Sequence, residues 1–165
     1  MKLLKRILAI LAVLVVAVQF IRPERNASAS PVSTDAAGAL VIPDEVRQVL
    51  LVSCFDCHSN NTRYPWYAEI QPVGWWLAGH IRDAKGELNF DEFGTYAPRR
   101  KFAKLRQIED EITEGEMPLP SYTTVHKDAV LSTEGKNLVI AWSRAMRDSL
   151  RVQYPPETLE RQSPR

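Results

Sequence analysis

The sequence predicts an all-α protein, a small helical domain preceded by an amino-terminal membrane-targeting helix. Apolar residues recur at spacings of three and four in several segments, which is the period of an amphipathic helix. No stretch alternates convincingly with the period of two that marks a half-buried strand. The run from Ile7 to Ile21 is apolar on every side. Such a run is typical of a targeting or anchoring helix.

The first segment, residues 1–21, has basic residues ahead of this apolar run, in which Gln19 is the only polar residue. Two interpretations stay open, an uncleaved membrane anchor and a signal peptide cleaved at Ala27-Ser28-Ala29. Charged residues between the run and that site favour the anchor: Arg22, Glu24 and Arg25. Because positive charges stay in the cytoplasm, we expect the rest of the chain outside it. The expected location is the bacterial cell envelope, on the periplasmic face of the cytoplasmic membrane, or the periplasm if the leader is removed.

Residues 22–42 are mostly small, polar and proline-containing, and we interpret them as a flexible linker. The domain is expected over 43–150, and the proline-rich residues 151–165 are expected to form a loose tail.

Four helices are predicted within the domain. The first enters at Pro43 with acidic residues in its first turn and runs to Cys54. The second covers about 73–85, with Trp76, Leu77, His80, Ile81 and Ala84 assigned to one face. The third covers about 98–114, has an amphipathic stripe of Phe102, Leu105, Ile108 and Ile112, and is closed by Gly115. The fourth opens near Ser132.

Length and charge narrow the function classes. A chain of 165 residues can form one domain with its own core but hardly two. The 21 basic and 20 acidic side chains give a net charge of +1. Because no overall positive field would attract a polyanion, we do not expect nucleic-acid binding.

The stretch VSCFDCHSNN contains the only two cysteines of the chain, Cys54 and Cys57, followed at once by His58. Cys-x-x-Cys-His is the attachment pattern of c-type haem, in which both thiols bond to the porphyrin and the histidine binds iron. A thiol–disulfide couple and a structural zinc site are the alternatives. The first usually requires an α/β pattern that is not visible here, and the second would need His80 or His126 to complete the ligands. The pattern therefore favours covalent haem c.

The second axial position of the iron decides whether the protein carries electrons or binds a small ligand. Met117, in EGEMPLPSY, follows the third helix, and Pro118 and Pro120 stiffen its loop. Since a thioether is a weak ligand, such a loop loses less entropy when it binds. His80 is the alternative distal ligand, and an open site is the third possibility.

Aromatic side chains follow the attachment pattern closely and could wall a porphyrin. We expect such contacts, with hydroxyl or indole groups reaching the propionates, from Tyr64, Trp66 and Trp76. Arg63 is the expected ionic partner of a propionate.

The segments CFDCHSNNTRYPWYAEIQPVGWWLAGHI, ELNFDEF and EGEMPLPSYTTVH resemble the haem-binding domain family of cytochrome c-like bacterial proteins. The resemblance covers about Pro43 to Arg147. It implies a cytochrome c-like fold with haem attached at Cys54 and Cys57 and iron bound by His58 and Met117.

These observations predict a mono-haem c-type cytochrome that transfers single electrons and is not an enzyme. Its expected partners are other redox proteins, as donor and acceptor, and the membrane through its first segment. The alternatives are a haem enzyme or a gas or peroxide sensor with an open distal site, and a thiol–disulfide redox protein.

Overall fold

The computed structural model describes residues 1–28 and 40–160. In chain order, the α-helices are α1 (Lys2–Val18), α2 (Asp44–Ser53), α3 (Phe55–His58), α4 (Val73–Glu87), α5 (Pro98–Glu114), α6 (Pro120–Val125), α7 (Thr133–Gln153) and α8 (Pro156–Leu159). Short 3-10 helices lie at Trp66–Glu69, Phe90–Thr95 and Lys127–Ala129. The described residues contain no strand, only an isolated bridge between Ala27 and Asn61. The prediction of an all-α protein is confirmed.

The helix ends follow from local chemistry. The first turn of α2 contains Asp44 and Glu45, whose carboxylates interact favourably with the positive end of the helix dipole. Helix α5 ends at Gly115, whose φ of 79° is left-handed and therefore suits a residue without a side chain. Helix α7 is capped by Ser132, whose hydroxyl accepts a 3.0 Å hydrogen bond from the Gly135 amide. These caps set where the connecting loops begin.

The core forms where α5 packs lengthwise against α7 and α2 closes one side. Leu50, Leu105 and Val139 are fully buried at this junction. The hydroxyl of Ser143, also fully buried, donates a hydrogen bond to the Leu105 carbonyl. This bond satisfies a polar group that would otherwise lie unpaired between the two helices.

The segment 40–42 packs two of its side chains into the core, which differs from the expectation that the linker runs to residue 42. Leu40 and Ile42 are buried, whereas Val41 between them is exposed. The Val41 carbonyl accepts a 2.9 Å hydrogen bond from the Trp142 indole. The difference arises because an extended segment can bury alternate side chains. Residues 29–39 of the expected linker lie outside the described residues.

Residues 22–28 also contact the domain. Arg22 and Arg25 both pair with Glu69. The backbone nitrogen of Asn26 donates a 2.7 Å hydrogen bond to the Tyr64 hydroxyl. This part of the expected linker is therefore held along the loop that follows His58.

The expected loose tail differs from the structure over residues 151–160. Helix α7 continues to Gln153, and α8 follows with Leu159 buried in the core. Prolines at 155 and 156 do not prevent this, because proline is well tolerated at the start of a helix. Residues 161–165 lie outside the described part of the chain.

Helix α1 is present, and its side chains are exposed over most of its length. Its end is joined to the domain where the Gln71 amide donates a 2.8 Å hydrogen bond to the Gln19 side chain. Within residues 1–28 and 40–160, no helix has the length and apolar character needed to cross a membrane. The Ala27-Ser28-Ala29 site extends into the residues that are not described.

Candidate functional site

The Cys-x-x-Cys-His segment forms one helical turn directly after α2. The Cys54 amide donates a hydrogen bond to the Leu50 carbonyl at 2.9 Å, and the His58 amide donates to the Cys54 carbonyl at 2.9 Å. Residues four apart lie on one side of a helix, so this turn places Cys54 and His58 on the same side. Cys54 and Cys57 are not joined by a disulfide bond.

This turn opens onto a mostly apolar cavity of about 220 Å³. Cys54 and His58 from this turn line it together with Met117, which is far from them in the sequence. The other lining residues come from α2, the end of α4, the 3-10 helix at Phe90, α5 and the loops between helices: Leu50, Ser53, Glu87, Leu88, Phe90, Lys104, Gln107, Ile108, Glu111, Ile112, Pro118 and Leu131. The cavity thus joins the predicted proximal and distal ligands.

The ring of His58 is oriented by one backbone hydrogen bond. Its Nδ1 lies 2.9 Å from the Leu88 carbonyl oxygen. Since a carbonyl can only accept, Nδ1 carries the proton and Nε2 keeps its lone pair. Burial lowers the pKa of His58 and outweighs the opposing effect of this hydrogen bond. The imidazole is therefore held neutral, in the tautomer that binds a metal through Nε2.

Met117 lies in the loop between α5 and α6. Its amide and that of Glu116 both donate to the Glu111 carbonyl, at 3.2 and 3.0 Å. The Met117–Pro118 peptide bond is cis. Of the other methionines, Met146 packs against the core and Met1 is exposed.

The environment of the two cysteines disfavours thiol chemistry. Burial, aided by the neighbouring Cys57, raises the pKa of Cys54 to about 12. Burial, aided by Asp56, raises the pKa of Cys57 to about 11. Because the thiolate is the reactive form, neither thiol is activated as a redox nucleophile.

The structure also places the remaining histidines away from the cavity. His80 packs against Trp76, with ring centroids 4.2 Å apart and ring planes tilted by 50°, and its Nδ1 lies 2.9 Å from the Trp76 carbonyl. His126 Nε2 lies 2.7 Å from the Tyr67 hydroxyl. Within the described residues, no group of three or more His, Cys, Asp or Glu side chains is arranged to hold a metal ion.

Five residues expected to contact a cofactor lie outside the cavity lining, which differs from the sequence-based expectation: Cys57, Arg63, Tyr64, Trp66 and Trp76. Tyr64 bonds to the Asn26 amide and Arg63 pairs with Asp56. Trp66 is 76% exposed and Trp76 is 50% exposed. Helix α4 buries Gly74, Leu77 and Ile81. Leu77 and Ile81 lie on the predicted face, but the helix is rotated so that Trp76, at the edge of that face, is exposed.

The walls of the cavity are mainly apolar, and α5 contributes more of them than any other helix. Ile108 and Ile112, both in the predicted stripe of that helix, face the cavity, as does Phe90 from the ELNFDEF segment. The amphipathic pattern of α5 predicted that these side chains would be buried, but not that they would line a cavity. Lys104, whose Nζ lies 2.7 Å from Glu87 Oε2, also lines the cavity and was not anticipated.

A buried polar network lies behind the cysteine turn. Asp56, between the two cysteines, is 7% exposed. Its carboxylate accepts hydrogen bonds from the Arg63 backbone and guanidinium and from the Tyr122 hydroxyl. Burial and the Asp56 carboxylate raise the pKa of Tyr122, so its hydroxyl stays protonated and donates.

A family model described as the haem-binding domain matches residues 13–145 of the chain. The match spans more than half of the sequence, so the chain belongs to this haem-binding family. No curated protein and no solved structure matches.

Proposed function

We propose that this protein is a mono-haem c-type cytochrome that transfers single electrons outside the cytoplasm. Cys54 and Cys57 would hold haem c covalently, and His58 and Met117 would bind its iron. The observation that carries the proposal is the shared cavity, which brings a neutral, oriented imidazole, a thiol and a thioether together.

The residues present fit a haem group. An apolar wall suits a porphyrin face, and His58 has only Nε2 available for iron because Nδ1 is used by Leu88. Bound haem would supply an iron centre that accepts and releases one electron. The chain's own residues then hold this centre, keep water from it and fill its second axial position.

Two filled axial positions distinguish an electron carrier from a haem enzyme or a gas or peroxide sensor. In this proposal Met117 excludes small ligands because its loop is fixed by the Glu111 carbonyl. His80 is disfavoured as the distal ligand, since it lies against Trp76 and not in the cavity lining. Other redox proteins are the proposed partners, with α1 as the membrane attachment.

Covalent attachment is tested by mass spectrometry of denatured protein produced with a cytochrome c assembly system. We expect a haem-sized mass increment on the wild type and none on a Cys54→Ala/Cys57→Ala double variant. Colour that passes completely into acidified organic solvent would rule out the covalent bonds.

The distal ligand is tested with Met117→Ala, and Met146→Ala serves as the matched control in the core. Oxidised wild-type protein should show the weak far-red charge-transfer band of thioether-bound iron. Met117→Ala should lose this band and bind carbon monoxide when reduced, whereas Met146→Ala should keep it. Rapid carbon monoxide binding by the wild type would contradict the electron-carrier function.

A further inference from the structure

A hydrogen bond joins the cysteine turn to the helix that follows Met117. Asp56 lies on that turn, and Tyr122 lies in α6, which begins three residues after Met117. The Tyr122 hydroxyl donates to Asp56 Oδ2 at 2.8 Å. The bond therefore connects the segment carrying His58 with the segment carrying Met117.

The acceptor end of this bond is fixed. Arg63 donates to Asp56 Oδ1 from its backbone nitrogen at 3.1 Å and from Nε at 3.0 Å, and to Oδ2 from Nη2 at 3.0 Å. A buried carboxylate with this many donors is held in one position, and hydrogen bonds to an ionised acceptor are about twice as strong as neutral ones. We refer to Asp56, Arg63 and Tyr122 as the clamp.

The donor end is fixed as well. The Tyr122 ring stacks on His126 at a centroid distance of 4.3 Å and an interplanar angle of 20°. His126 Nε2 in turn lies 2.7 Å from the Tyr67 hydroxyl. Helix α6 is thus held to the body of the protein at two points, and neither point is part of the cavity lining.

Met117 lies between two anchors. Upstream, its amide is bonded to the Glu111 carbonyl at the end of α5. Downstream, only Pro118 and Leu119 separate it from clamped α6. We infer that Tyr122 is a positioning residue, which holds the Met117 loop against the His58 side of the cavity through Asp56.

This inference rests on the proposed function, in which Met117 binds the iron. A thioether is a weak ligand, so its bond stays closed mainly because its loop is already confined. Without the downstream anchor, the loop would populate displaced positions more often. An external ligand would then compete more successfully for the iron.

The test uses the full-length haem-loaded protein with Tyr122→Phe, which keeps the ring that stacks on His126 and removes the donor. Oxidised protein is titrated with imidazole. We expect the apparent affinity for imidazole to rise about tenfold, which corresponds to about 1.4 kcal/mol. Tyr154→Phe is the matched control, because Tyr154 lines a pocket with Phe102 near the start of α5, whereas Met117 follows the end of that helix.

A second measurement does not depend on haem spectroscopy. The amides of Tyr122, Thr123 and His126 form the hydrogen bonds of α6. Their hydrogen exchange should become faster in Tyr122→Phe and stay unchanged in Tyr154→Phe.

The outcomes separate this inference from the proposed function. Haem attached with an intact far-red band, but unchanged imidazole affinity in Tyr122→Phe, would overturn the positioning role and leave the cytochrome proposal standing. A wild type without the band would overturn both. If Tyr122→Phe accumulates without haem, Asp56→Ala, which removes the acceptor, is used in its place, and an unchanged affinity there would overturn the inference equally.

Discussion

Replacing Leu40 by alanine should destabilise the protein strongly, although residue 40 lies in a segment whose sequence suggests a linker. Leu40 is 2% exposed in the core, whereas its neighbour Val41 is 72% exposed. Leu40→Ala removes three carbon atoms, a transfer loss of about 2.4 kcal/mol at about 0.8 kcal/mol per methylene. The residual cavity brings the expected loss in free energy of unfolding to about 2–5 kcal/mol.

The assay is urea and thermal unfolding followed by far-UV circular dichroism, with wild type and variants in the same detergent. For a domain of this size, we expect the melting temperature to fall by about 2–4 °C per kcal/mol. Val41→Ala is the control and should stay within about 0.5 kcal/mol of wild type. Equal stability of Leu40→Ala and Val41→Ala would show that Leu40 does not pack in the core.

Two further predictions concern charge and backbone space. The guanidinium of Arg144, with that of Arg147, lowers the pKa of Glu109 from its ordinary 4.5. The ionised Glu109 and its two arginines therefore stabilise the fold above pH 4.5, and this stabilisation is lost as the pH falls through the lowered pKa. In acid, the free energy of unfolding should accordingly fall less in Glu109→Gln than in wild type. Gly74→Ala should lower the melting temperature, because a Cβ there would lie 2.4 Å from the Ala68 carbonyl oxygen. Gly86→Ala should raise the melting temperature through the higher helix propensity of alanine, because a Cβ at position 86 has no atom within 4 Å. A lower melting temperature for Gly86→Ala than for Gly74→Ala would contradict the packing of α4.

Several features of the fold could be predicted from the sequence because they depend on neighbouring residues. The stripe of α5 and its stop at Gly115 are both present. So is the start of α7 near Ser132. Prediction failed where burial depends on a distant partner. The face assigned to the second helix contained Leu77 and Ile81, which α4 does bury. It also contained Trp76, which is exposed because the rotation of α4 is set by what the helix packs against.

The candidate site shows the same division. The Cys-x-x-Cys-His pattern and the proline-flanked Met117 are local signals, and the residue types at that spacing suffice to suggest haem chemistry. Arg63 is close in sequence to the cysteine turn, yet it pairs with Asp56 outside the cavity. A short separation along the chain does not determine the direction in which a side chain points.

The sequence by itself determined the helical class, the position of the Cys-x-x-Cys-His motif and the identity of the candidate ligands, because these depend on residues within a few positions of one another. Only the tertiary structure decided that Met117 and His58 share one cavity and that Leu88 orients the imidazole. It also decided that Tyr122 reaches Asp56 across 66 positions. Such contacts depend on how α5 and α6 pack against the cysteine turn, and no local pattern of residues specifies that packing.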